Sequence, residues 1–95
     1  MRFTVSQITF EEYPAAKRDL DAALAAGDAL LDFSSVSRVD STAVALLLHA
    51  ERQAKALGLT LVCQHLPESY GELVALYGLE SLLSNTLPHE GNPSL

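Results

Sequence analysis

DFSSVSRVDSTAVALLLH, residues 32–49, runs from the end of an apolar segment, through a short serine-containing connection, into a helix opened by Asp40, Ser41 and Thr42. Ala43, Leu47, Ala50, Ala54 and Leu57 recur at helical spacing, while His49, Arg52, Gln53 and Lys55 gather on the other side, which predicts a helix over residues 41–57. Gly58 is placed to close it. Val44, Leu46 and Leu48 widen the apolar arc near its start, so that half is either deeply buried or partly an interface. Immediately upstream, residues 29–33 form an apolar run too short for a helix and bounded by Gly27 and Ser34. It is expected to be a strand covered on both faces, with Asp32 bonding nearby backbone amides at its end.

The flanking sequence repeats this alternation. Residues 1–8 alternate loosely, with Phe3, Val5 and Ile8 apolar, and predict a first strand. Thr9 and Glu12 stand at capping-box spacing, with Ile8 and Tyr13 placed for a hydrophobic staple. A helix follows to about Ala26, beginning at Thr9 or with Pro14 in its first turn. Its apolar face is Ala16, Leu20, Ala23 and Leu24. Residues 59–64 read as another strand. Pro67 opens a shorter helix to Tyr77, and Leu79, Leu82 and Leu83 suggest one more turn packing back on the core. The polar SNTLPHEGNPSL, residues 84–95, is expected to be a flexible C-terminal tail after a domain spanning residues 1–83. Strand and helix alternate throughout, which implies an α/β domain: a small, mainly parallel sheet with helices packed on it through right-handed crossovers.

Composition removes several classes of function. At 95 residues there is room for one core. Twelve acidic against six basic residues leave a net charge of −6, and the basic residues are scattered, which argues against a grip on nucleic acid or anionic lipid. No run approaches the roughly 18–20 apolar residues that span a bilayer, and MRFTVSQITF lacks the apolar stretch of a signal peptide. A cytoplasmic location is therefore expected, without direct membrane insertion. The single Cys63 lies in an apolar run and should behave as a small hydrophobe, and the three histidines are too scattered for a structural zinc site, so no metal is expected. Glycine-rich phosphate loops, H-E-x-x-H and G-x-S-x-G are absent, so neither a cofactor nor catalysis is expected. A Ser–His–Asp set can be assembled from Ser41, His65 or His49, and Asp32 or Asp40, but any chain of this size holds such residue types, and a triad is defined by geometry.

Asp40, Ser41 and Thr42 are good helix caps, and replacing a cap by Ala typically costs about 1 kcal/mol. Three consecutive oxygen-bearing side chains nevertheless exceed what one cap requires. A hydroxyl here could hydrogen-bond a partner directly, and a phosphate placed on Ser41 or Thr42 would meet the free N–H groups of a helix start.

The run DFSSVSRVDSTAVALLLHAERQAKALG, followed by LTLVCQHLPESYGELVALYGLESLL, resembles the STAS domain family, whose members include anti-sigma factor antagonists. Val39-Asp40-Ser41 leading into Ala45-Leu46-Leu47-Leu48-His49 is most similar to its MlaB-like branch. The resemblance implies a STAS-like fold and a non-catalytic cytoplasmic accessory subunit of a phospholipid-transporting ABC complex that maintains outer-membrane lipid asymmetry. The implied partner is the ABC ATPase subunit (MlaF-like), in a complex with MlaE-like permease and MlaD-like subunits, which would hold the chain at the inner membrane. Asp40, Ser41, Thr42, Val44 and Tyr70 are the expected partner-binding residues, with Tyr77 a further candidate. The alternative is an anti-sigma factor antagonist switched by phosphorylation, for which Thr42 or Ser41 is the expected site. Ala43 and Val44 stand where antagonists commonly carry glycine and leucine.

Overall fold

A computed structural model describes residues 1–79. In chain order the elements are β1 (Gln7–Ile8), α1 (Tyr13–Ala25), β2 (Leu30–Asp32), β3 (Arg38–Val39), α2 (Ser41–Ala56), β4 (Val62–Gln64) and α3 (Glu68–Leu76). β1 pairs in parallel with β3, Gln7 beside Arg38, and β2 pairs in parallel with β4, Leu31 beside Cys63. The expected small parallel α/β architecture is present. The further turn at Leu82 and Leu83, the domain end at residue 83 and the tail from Ser84 lie outside the described residues.

The first strand is shorter than expected, for a reason of parity. In an unbroken strand Phe3 and Ile8, an odd and an even position, would point to opposite faces. Both are buried in the core, so the chain bends at Val5 and Ser6 between them, leaving Val5 exposed. The two halves of this segment then serve different neighbours. Arg2 bridges to Asp32, with the Phe3 N–H donating to the Asp32 carbonyl at 3.0 Å. Beyond the bend, β1 runs along β3, and the two short pairings are joined through the bend.

β2 also departs from expectation. Leu31 and Phe33 are buried while Leu30, on the opposite face, is 44% exposed, so the strand is covered on one face rather than both. The connection over residues 34–40 contains β3, which two residues are too few to announce by periodicity.

α2 is the central helix and buries Ala43, Val44, Leu46, Leu47, Ala50 and Ala54. It ends where expected, with Gly58 at φ +72° and the Leu59 N–H donating back to the Ala54 carbonyl, a left-handed closure that glycine adopts at least cost. α1 lies against α2, and Asp21 Oδ1 sits 2.6 Å from His49 Nε2 across their seam. α1 itself begins at Tyr13 with Pro14 in its first turn. Half of the expected capping box forms: the Glu12 carboxylate accepts from the Thr9 N–H at 3.0 Å and from its hydroxyl.

An aromatic column crosses the core. Phe3 stacks on Phe33 at 4.9 Å, Phe33 meets Tyr70 of α3 edge-on at 5.3 Å, and the buried Tyr70 hydroxyl donates to the Ala43 carbonyl of α2 at 2.6 Å. Burial, followed by the nearby Cys63, pushes the Tyr70 phenol above its usual range. Cys63 is buried as expected, and burial, followed by Glu51, pushes its thiol up to about 12. Among the described residues no helix is long and apolar enough to cross a membrane.

Deleting the hydroxyl in Tyr70→Phe leaves the ring packing intact and is expected to cost about 1 kcal/mol of unfolding free energy. Leu47→Ala is expected to cost about 3 kcal/mol through its cavity. Urea denaturation of the two variants checks both values and their order.

Candidate functional site

The junction between β3 and α2 is built around one carboxylate. Asp40 is in extended conformation, φ −129° and ψ −169°, and caps α2. Its Oδ1 accepts from the Thr42 N–H at 2.9 Å and from the Thr42 hydroxyl at 2.5 Å. Its Oδ2 accepts from the Phe10 N–H at 3.1 Å, and its own N–H donates to the Ile8 carbonyl. Asp40 therefore fastens the turn after β1 to the start of α2. The Thr42 hydroxyl holds this carboxyl below its ordinary range, partial burial works the other way, and the amides of Thr42 and Phe10 add to the lowering.

The expected site residues separate once placed in the fold. Ser41 is exposed at the first position of α2, and no hydrogen bond engages its hydroxyl among the described residues. Thr42 is half-buried, with its hydroxyl committed to Asp40. Two residues expected at a partner surface are instead in the core: Val44 is 5% exposed and Tyr70 fully buried. The reason is shared. Helical spacing shows which residues lie on the apolar side without showing what covers them; both side chains belong to the core cluster, and the Tyr70 hydroxyl is satisfied by a backbone carbonyl. Tyr77, by contrast, is exposed just beyond α3.

Beside Asp40 the structure has a cleft of about 380 Å³ that the sequence did not indicate. One wall is the end of β1 and its turn, Gln7, Thr9, Phe10 and Glu11, and the other is Arg38, Val39 and Asp40. It lies where two neighbouring parallel strands give way to their helices, a common location for binding sites in α/β folds. Phe10 is 69% exposed at its edge. A large apolar residue inside a capping box, outside either periodic pattern, was the available signal.

The residues from which a catalytic triad could be written are not assembled as one. His65 Nδ1 lies 3.2 Å from Asp32 Oδ1, and His49 pairs with Asp21. Neither histidine bonds to Ser41 among the described residues. Asp32 accepts from the Ser34 N–H at 2.9 Å and ends β2 as a backbone acceptor. That amide is the chief cause holding its carboxyl low, against some burial and with further lowering by the Ser34 and His65 side chains. Among the described residues no three His, Cys, Asp or Glu side chains converge as a metal site.

Residues 5–84 match the family model described as Mlab, STAS domain. No match is found among curated proteins.

Asp40→Ala is expected to cost about 1 kcal/mol, as for loss of a helix cap. The pH dependence has a definite sign. A carboxyl whose folded pKa lies below its unfolded value of about 3.9 binds protons more weakly when folded, so its contribution is complete above about pH 5 and lost as pH falls through the folded value. The stability difference between the native chain and Asp40→Asn should be greatest near neutrality and shrink below about pH 4, which denaturant titrations at stepped pH will show.

Proposed function

The chain belongs to the STAS domain family, and from that premise we propose that it is a non-catalytic accessory subunit of a phospholipid-transporting ABC complex, docking on the ATPase subunit and stabilising or activating it. The family supports an accessory or antagonist-like role. The observation that carries the narrower reading is Ser41: within the Val39-Asp40-Ser41 step it is exposed at the head of the central helix, while its neighbours are committed internally. Asp40 supplies the cap, so Ser41 is not needed for that purpose and its hydroxyl stands ready for a partner group.

Docking here requires no rearrangement of the fold. The start of α2 is held from below by Tyr70 and from the side by Asp40, and a preorganised surface binds without the cost of ordering it. The partners proposed are a MlaF-like ATPase in a complex with MlaE-like permease and MlaD-like subunits, with the chain on the cytoplasmic side of the inner membrane.

The second reading, an anti-sigma factor antagonist switched by phosphorylation, draws on the same exposed hydroxyl. The geometry favours Ser41 over Thr42 as its acceptor, because the Thr42 hydroxyl donates to Asp40. In that case intact-mass measurement after incubation with the cognate kinase gives one added phosphate, lost in Ser41→Ala.

Co-expression with the ABC ATPase subunit of the source organism tests the first reading. The two proteins should elute together, and Ser41→Ala should weaken the complex about tenfold while changing unfolding free energy by less than about 0.5 kcal/mol, as for an exposed substitution. Persistent separate elution of the native pair, with outer-membrane permeability unchanged on deletion, overturns it.

A further inference from the structure

Phe10 is a large aromatic side chain, 69% exposed, on a turn that is fixed rather than loose. Its own N–H is held by Asp40 Oδ2 at 3.1 Å. On either side of it, the Glu12 carboxylate accepts from the Thr9 amide and from the Gln7 side chain, both at 3.0 Å. The same Asp40 carboxylate, through its other oxygen, holds Thr42 next to Ser41. An exposed aromatic on a preorganised turn loses little freedom when it is buried by a partner, and residues of this kind carry disproportionate shares of interface energy.

We propose that Phe10 is the apolar anchor of the docking face, entering a pocket on the ATPase partner, and that Asp40 is the positioning residue that keeps Phe10 in register with Ser41. This rests on the docking reading above. The occupant follows from continuity and charge. Phe10 and Ser41 are joined through one carboxylate, so a partner that reaches Ser41 also covers the turn. Exposed Glu11 stands next to Phe10 on a chain of net charge −6, with Arg38 on the opposite wall of the cleft. The matching surface is an apolar pocket with a basic residue at the rim facing Glu11.

The test is a double-mutant cycle on binding to the purified ATPase subunit, measured by isothermal titration. Phe10→Ala should weaken binding at least tenfold, with a melting temperature close to that of the native chain because the side chain is exposed. Asp40→Asn keeps a capping side chain but exchanges one carboxylate oxygen for an amide nitrogen. It should weaken binding too, and in that background Phe10→Ala should cost clearly less than it does alone. Leu57→Ala, which trims an exposed leucine at the far end of α2, should bind as the native chain does. Native-like affinity of Phe10→Ala, while Ser41→Ala still weakens the complex, overturns the anchor and leaves the docking reading standing. Strict additivity in the cycle overturns the positioning role of Asp40. Failure of the native chain to bind the ATPase overturns docking and anchor together, whereas a native dimer, seen by light scattering, that Phe10→Ala dissolves overturns the anchor alone.

Discussion

Two oxygens of one carboxylate bring the ends of two parallel strands into a common frame. Asp40 caps the central helix with one and gathers the turn after β1 with the other, so the entry points of α1 and α2 share a fixed spacing. A neutral cap such as serine could satisfy the Thr42 amide, but its single oxygen would not also reach the Phe10 amide in the same way. Carboxylates have the acceptor capacity for such a junction, and being partly exposed they supply it without a large desolvation cost. The cleft, the open serine and the projecting aromatic all take their positions from this contact.

Beneath it lies the aromatic column. Phe3, Phe33 and Tyr70 come from the N-terminal segment, the end of β2 and α3, and their last member reaches the first turn of α2. At that end Tyr70 both fills the space and satisfies a hydrogen bond, its hydroxyl donating to the Ala43 carbonyl. The helix start is thereby supported from the core as well as tied at the surface.

How much of this could be read from the chain depended on length and period. The central helix was legible almost to the residue because its apolar repeat is long, Asp40 precedes it and Gly58 follows it. The two-residue β3 has no period to detect, and the bend at Val5 and Ser6 shows only in the mismatched parity of Phe3 and Ile8. Val44 and Tyr70 were assigned to a surface because periodicity identifies an apolar face without saying what covers it. Phe10 was passed over because a turn residue contributes to no pattern. The junction itself was recognised from its chemistry as a capped helix start with surplus hydroxyls. Deciding between those hydroxyls required coordinates, since Ser41 and Thr42 differ in sequence by one methyl group and in the fold by whether Asp40 has claimed them.

The bend near the N-terminus bears on how the domain assembles. Residues 1–8 touch β2 with their first half and β3 with their second, yet both strands come later in the chain. This segment therefore has no sheet partner of its own until β2 and β3 exist, and its pairing closes long loops for few hydrogen bonds. β2 pairs with β4 across a similar stretch of chain, Leu30 beside Val62 as Gln7 is beside Arg38, so neither pairing is the more local. The N-terminal segment is thus the splice between two otherwise separate strand pairs, reaching β2 with one half and β3 with the other.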